Sequence, residues 1–355
     1  MVRNAYIVIG ANYGDEGKGT VVAHCTKGND NVLNILTNGG SQRGHSILTS
    51  QGSVTFQHFG SGTYHGADSY FSRYFILNPM QFGLEYDQLV VKPKHIYRDK
   101  FCRWSTPYDS MANLIMEQQR GRKASCCMGI WNTIKRYRDT QTITLDEFVT
   151  REKPMLYLNT VKSYYEKMIT IPAEFESIWN SQTMKVHFYN DCRFLADMAK
   201  PSMLNELEYA NLIFENGQGL LLSDTGKDTY DTTPSNTGIQ YSLELLKDIP
   251  DVSKVMAHYV TRPYLTRHGD GEMLIETHRH DLSKDVAADR TNHYNDFQGD
   301  FRYGILDIDR LKERILSDAN GVNFVLDVTH CDEMDRLSEF KKAFKDVNVY
   351  DSPFV

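Results

Sequence analysis

The sequence predicts an α/β fold, a single large domain over residues 1–355 arranged around a mostly parallel sheet. Three observations predict it. Short apolar runs end repeatedly in polar, glycine-containing turns, stretches with apolar residues at spacings of three and four lie between them, and no repeat, low-complexity tract or linker divides the chain. Strands with polar C-terminal ends, alternating with helices, make an open α/β sheet whose ligands sit in the crevice beyond the strand ends.

The elements follow in order. Tyr6-Ile-Val-Ile9 is a buried first strand running into Gly10-Ala-Asn-Tyr-Gly-Asp-Glu-Gly-Lys-Gly-Thr20, after which Val21, Val22 and His24 begin a helix. Asn31–Leu36 runs into Asn38-Gly-Gly-Ser-Gln-Arg-Gly-His-Ser46. Asn211–Phe214 runs into Glu215-Asn-Gly-Gln-Gly219, Val255–Val260 into Thr261-Arg-Pro, and Val322–Val328 into Thr329-His-Cys-Asp332. Ser110–Arg120, Leu156–Met168 and Ile308–Leu316 carry the helical period. The segments at about 60–120 and 263–300 are expected to hold loops and helical excursions.

Composition narrows the function classes. Lys plus Arg number 39 against 46 Asp plus Glu, so the net charge of -7 provides no field for non-specific nucleic-acid binding. Local basic clusters suit small phosphorylated ligands better. No apolar run approaches the roughly 20 residues of a membrane span, and the first apolar segment is too short for a secretory signal. Six scattered cysteines form no C-x-x-C pair, which speaks against zinc and against a disulfide scaffold. A cytoplasmic protein is expected, with neither nucleic acid nor a membrane as partner.

The loop Gly14–Thr20 is P-loop-like. Its glycines let backbone N–H groups approach a phosphate, the following helix N-terminus favours an anion, and Lys18 adds a point charge. It departs from G-x-x-x-x-G-K-[ST], with Asn12 at the first glycine and Gly19 between Lys18 and Thr20. Asp15 and Glu16 are unusual beside a phosphate. They make sense if one of them holds Mg²⁺ or removes a proton.

Gly10–Thr20 resembles the first loop of adenylosuccinate synthetase, G-x-Q-W-G-D-E-G-K-G-K, and further blocks recur in order. Gly39–Ser46 resembles G-G-x-N-A-G-H-T, and His58-Phe-Gly-Ser-Gly62 resembles H-x-x-P-S-G with one deletion. Phe214–Ser223 resembles F-E-G-A-Q-G-x-L-L-D, and Asp228–Thr237 resembles T-Y-P-Y-V-T-S-S-N-T. Val260-Thr-Arg262 is similar to S-T-R-x-G, Tyr303–Asp307 to T-G-W-L-D, Val328–Asp332 to L-T-K-L-D, and Tyr350–Pro353 to S-T-G-P. The length is closer to compact archaeal and phage-borne members than to bacterial ones.

The resemblance implies a GTP-dependent ligation with one Mg²⁺ per site, in which O6 of IMP is phosphorylated and the amine of aspartate displaces the phosphate. It implies a homodimer and, by position, roles for residues. Asp15 would take the N1 proton and, with the backbone of Gly44, bind the metal. His45 would be the general acid, and Lys18 would hold the transferring phosphate. The GTP site would comprise Gly14, Glu16, Gly17, Lys18, Gly19, Thr20, Gly44, His45, Ser46, His330, Asp332, Ser352 and Pro353, with Asp332 reading guanine. Gln42, Ser125, Gln218 and Thr233 would meet the purine nucleotide together with Asp15, and Arg136 and Arg138 are both candidates for the arginine that reaches it across a dimer.

Three departures shape the expectation. Gln42 replaces an asparagine, while Ser125-Cys-Cys-Met-Gly-Ile130 stands where the family has T-T-G-R-G-I-G. His330 replaces the lysine of T-K-L-D. The aspartate-binding T-T-G-R-R-R-R-T-G becomes Asp296–Gly304, in which only Arg302 survives from the arginine run. Either Arg262, Arg267 or Arg290 helps Arg302 receive the amine donor's carboxylates, or the donor is not aspartate. Phage relatives that aminate dGMP are expected to carry a small residue in place of the loop aspartate, so Asp15 favours a 2-unsubstituted 6-oxopurine such as IMP, with a phage-type enzyme that aminates dGMP as the alternative. ATP in place of GTP and a catalytically silent nucleotide-binding homologue complete the alternatives.

Overall fold

The computed structural model describes residues 2–49, 52–121, 123–224, 232–286, 289, 292 and 294–351. Nine strands form the main sheet: β1 (Arg3–Gly10), β2 (Val32–Leu36), β3 (Asp68–Phe71), β4 (Ile96–Arg98), β5 (Lys200–Pro201), β6 (Asn211–Gly219), β7 (Val252–Thr261), β8 (Phe324–Val328) and β9 (Val347–Val349). Their spatial order is β5-β4-β3-β2-β6-β1-β7-β8-β9, and every pairing is parallel.

β1 lies at the centre because its apolar run suits burial on both faces. Ile7 pairs with Phe214 on one side and Ala257 on the other. Its alternating side chains feed two cores. Ala5, Ile7 and Ile9 pack with Leu311 and Ile315 of the helix Ile308–Ala319, whereas Val8 packs with Val21 and Val22 of the helix Lys18–Thr26 on the opposite face. β1 continues to β2, the chain builds outward to β5, and β6 then returns between β2 and β1. That reversal opens the crevice at the C-terminal ends of β1, β2, β6, β7 and β8.

The expected strands and helices form, with differences in the two segments read as loops. Residues 60–120 contribute β3, β4 and the helix Pro79–Gln88 as well as loops. β3 and β4 have four and three residues, too few to display a period. Residues 263–300 contribute most of a small antiparallel sheet in which Phe301–Gly304 pairs with both Leu265–His268 and Glu276–Thr277.

Among the described residues six helices lie between β4 and β5, from Pro107–Arg120 to Gln182–Met198, and make a lobe whose Tyr108, Phe148, Tyr165, Trp179 and Phe188 pack with Trp104 in a core continuous with Leu36 and Phe71 of the sheet. The helix Pro107–Arg120 starts where its sequence dictates: Thr106 and Asp109 form a capping box, a proline opens the first turn, and Gly121 closes the last with φ 62°. Among the described residues no helix is long and apolar enough to cross a membrane.

Candidate active site

The loop after β1 is organised by its own acid. Glu16 is buried, and its Oε1 accepts the backbone N–H groups of Asn12 at 3.0 Å and Gly14 at 2.7 Å. Lys18 is buried as well, donating from Nζ to the Gly14 carbonyl at 2.7 Å with Glu16 Oε2 3.6 Å away. Thr329, just past β8, donates to the Glu16 carbonyl at 2.6 Å and ties the loop to the neighbouring strand end. Gly14 and Gly17 have φ of 109° and 88°, which side-chain-bearing residues avoid. Asp15 is thereby left at the loop's crest. Among the described residues no hydrogen bond or ion pair engages its carboxylate, and burial raises its pKa against the opposing pull of His268.

His45 opens the hairpin His45–Thr49/Gly52–Phe56. Its Nδ1 lies 2.6 Å from Oε1 of Glu215, midway along β6. Ser61 adds its backbone N–H at 3.0 Å and its hydroxyl at 2.8 Å to the same carboxylate. Burial pushes His45 down to about 4 although the Glu215 hydrogen bond opposes it. Burial alone would raise Glu215, but His45, Arg43 and Ser61 outweigh it and hold the carboxyl at about 2. The pair is therefore a neutral imidazole donating from Nδ1–H to a carboxylate, which leaves Nε2 for the cavity. Arg43 backs the pair. Its buried guanidinium donates to the carbonyls of Phe59 at 2.9 Å and Glu215 at 3.3 Å.

Two openings meet at these residues. A cavity of about 670 Å³ extends from the loops at the sheet ends to the helical lobe, lined by Asp15, Gln42, His45, Ser125, Gln218, Thr233 and Arg267 among others. A smaller cleft of about 30 Å³ is lined by Gly14, Asp15, Gly17, Lys18, Gly19, Gly44, His45, Ser46, Arg262, Asn292 and His330. The two share Gly14, Asp15, Gly44, His45, Ser46 and Asn292. A phosphoryl donor in the cleft and an acceptor in the cavity would thus meet across Asp15 and His45.

The sequence-derived candidates divide accordingly. Gln42 donates to Thr233 Oγ1 at 3.1 Å, and Gln218, with φ 65°, packs its backbone against Gly14. Thr20 is buried, and Ser125 accepts the Cys127 N–H while bonding Asn113. His330 lines the cleft and not the large cavity. With φ 56° it turns into the cleft, buried, its Nδ1 2.9 Å from Thr329 Oγ1. Asp332 is exposed past the end of β8. Ser352, Pro353, Arg290 and residues 228–231 of the Asp228–Thr237 block lie outside the described residues.

The arginines need correction. Arg136 is consumed in the helical core, paired with Asp109 at 2.8 and 2.9 Å and donating to Tyr157 and Trp104, so it does not reach the cavity. Arg138 is exposed, as an arginine reaching across a dimer must be, and does not line this chain's own cavity. Arg302 is held by Glu276 and by the carbonyls of Gly269 and Gly271, also away from the cavity. Arg262 lines the cleft, but its guanidinium bonds Asp289 at 2.7 Å and the Asp15 carbonyl at 2.8 Å. The cavity instead meets Arg120, Lys135 and Arg267. Thr266-Arg267-His268-Gly269 also fits S-T-R-x-G with the glycine that Val260-Thr-Arg262 lacks. Arg267 lines the cavity while its guanidinium also donates to the carbonyls of Glu272 and Asp270. Glu215 and His268 border the site without having been singled out from the sequence.

The adenylosuccinate synthetase family profile matches residues 7–345. The chain belongs to the adenylosuccinate synthetase family. The adenylosuccinate synthetase of Hydrogenovibrio crunogenus is 26% identical over 304 residues, covering 81% of this chain and 66% of that protein, so the chain spans just under two thirds of that relative's length. Two solved structures share the fold. The fully ligated adenylosuccinate synthetase of Plasmodium falciparum matches with a TM-score of 0.75 and 18% identity over 94% of this chain and 78% of that one. The succinoaminodeoxyadenylate synthetase of cyanophage S-2L, bound to dGMP and to dATP as energy donor, matches with a TM-score of 0.66 and 13% identity over 98% and 92%. The Gly14–Gly19 and Gly44–His45 blocks converge in this fold, where both line the small cleft.

Proposed function

We propose that this chain is a GTP-dependent ligase of 6-oxopurine nucleotides, acting in purine nucleotide synthesis with IMP as the simplest acceptor. The observation that carries the reading is the wall shared by cleft and cavity, with Asp15 and His45 both on it. GTP places its γ-phosphate in the cleft against Lys18 and the loop amides. Asp15 removes the N1 proton, and O6 attacks the γ-phosphorus as the bond to GDP breaks. His45, neutral in the free protein and held by Glu215 at Nδ1, takes a proton at Nε2 when the anionic γ-phosphate enters, and the resulting imidazolium stabilises the charge that develops on the phosphoryl group. The amine nitrogen then bonds to C6, the C6–O6 bond breaks, phosphate leaves with O6, and the amine's proton is released.

The donor set suits Mg²⁺. Among the described residues no group of three His, Cys, Asp or Glu side chains forms a cage. A single unengaged carboxylate beside the Gly44 backbone fits a cation that is held largely by nucleotide phosphates. Asp15 and Gly44 would hold it, and it would neutralise charge on the transferring phosphoryl group.

The amine donor is an amino acid, aspartate in the family's reaction. Its carboxylate meets Arg267, whose guanidinium sits 5.0 Å over the Tyr13 ring at the cavity wall. The Asp15→Ala variant tests the reading. Turnover should fall by roughly 10³-fold or more with GTP affinity within about threefold. An active variant would remove Asp15 from the chemistry.

A further inference from the structure

Away from the wall it shares with the cleft, the large cavity runs into the helical lobe. Three ionic side chains line it there: Glu117 and Arg120 of the helix Pro107–Arg120, and Lys135 of the helix Ile130–Asp139. Glu117 is the acid among these bases, and it is only 7% exposed. Its Oε1 accepts from Arg120 at 3.3 Å. Among the described residues its Oε2, which is also buried, has no hydrogen-bond partner. An ionised oxygen left in that state costs more than an ordinary missing hydrogen bond. On a residue that lines a ligand cavity, it marks the place of a donor that the ligand brings.

The chemistry of the acceptor says which donor that is. The proposed reaction sets N1–H and O6 of the purine against Asp15 and His45. N9 lies on the far side of the ring system, so ribose and 5′-phosphate extend along the cavity toward the lobe. Arg120 and Lys135 suit the phosphate, which only accepts and would repel a carboxylate. The donors of a 6-oxopurine ribonucleotide without a 2-amino group are few: N1–H, which goes to Asp15, and the two ribose hydroxyls. We propose that Glu117 reads the sugar of the acceptor, its Oε2 accepting from the ribose cis-diol, so that ribonucleotides are taken in preference to 2′-deoxyribonucleotides. This rests on the placement of N1 at Asp15 in the reading above. A Glu117 that served only to hold Arg120 would use Oε1 alone and would distinguish no sugar.

The test uses the full chain with GTP, Mg²⁺ and aspartate, comparing IMP with dIMP in the wild type, Glu117→Gln and Glu117→Ala. Glutamine keeps the size and a neutral acceptor, and alanine removes both oxygens. The wild type should favour IMP over dIMP by about tenfold or more in kcat/KM, the worth of a hydrogen bond to a charged acceptor. In Glu117→Ala that ratio should fall to within about threefold through loss on IMP, with Glu117→Gln in between. The ratio does not depend on how much of a variant is folded, so a destabilised protein still gives the answer. A wild type indifferent to the 2′ hydroxyl, or variants that lose equally on both acceptors, would overturn the proposal. Equilibrium binding of IMP and dIMP, measured in parallel, separates this assignment from the reaction. If the wild type converts neither, the ligase reading fails. The Glu117 assignment then stands only if the wild type binds IMP more tightly than dIMP and Glu117→Ala loses that preference, and falls otherwise.

Discussion

Glu215 is wholly buried, yet its carboxylate serves the site by fixing which nitrogen of His45 faces the cavity. Glu215→Gln keeps the shape but offers an amide that can present either a donor or an acceptor to Nδ1. The expected result is a fall in kcat of roughly 10²–10⁴-fold, the range of a lost general acid, with the KM for both nucleotides within about threefold. An unchanged kcat would make the contact merely structural. His45 was legible because it follows Gly44 in a recognisable block. Glu215 lay in a quoted block too, but its partner is 170 residues away in sequence and no spacing reveals that. Arg136 shows the same limit from the other side. The family resemblance made it a candidate for the arginine that reaches across a dimer, and only the tertiary positions of Asp109, Tyr157 and Trp104 show that the core consumes it.

The phosphate loop and the hairpin that carries His45 are two elements held at a fixed distance by the absence of a side chain. A Cβ at Gly19 would lie 2.7 Å from the Ser46 carbonyl oxygen, a backbone atom that cannot move without the hairpin. Gly19→Ala should destabilise by about 1–3 kcal/mol, seen as a lower urea midpoint, and should also reduce turnover by pushing His45 from Lys18. A variant with both midpoint and kcat unchanged would show that the two elements are not packed in this way. The central elements were readable because β1, β2, β6, β7 and β8 are apolar runs that end in polar turns. β3 and β4 were not, because Asp68-Ser-Tyr-Phe71 and Ile96-Tyr-Arg98 are short and partly polar and are strands only through their neighbours in the sheet.

Across the whole molecule, burying neutral histidines makes the fold sensitive to acid. His58 Nε2 accepts the Asn78 backbone N–H at 3.0 Å, an arrangement that protonation of that nitrogen would break, and burial pushes its pKa down to about 3. His45 lies at about 4. An imidazole held below its unfolded pKa of about 6.5 contributes stability that is complete above that pH and lost as pH falls toward the folded value. At pH 5 each such histidine should cost about 2 kcal/mol relative to pH 7. Glu85, raised to about 7 by burial, works in the opposite sense, so the check is residue-resolved: imidazole NMR shifts of His45 and His58 should remain those of the neutral ring at pH 5. Titration of either near 6.5 would refute the assignment. The central claim is that cleft and cavity meet across Asp15 and His45 to ligate an amine to a purine, and mass spectrometry of the nucleotides formed from GTP, Mg²⁺, aspartate and IMP tests it most directly. A succinyl adduct of the purine nucleotide, formed together with GDP and phosphate, is the expected product. GTP binding with no adduct from IMP, dIMP, GMP or dGMP, with aspartate or with a pool of other amino acids, would contradict it.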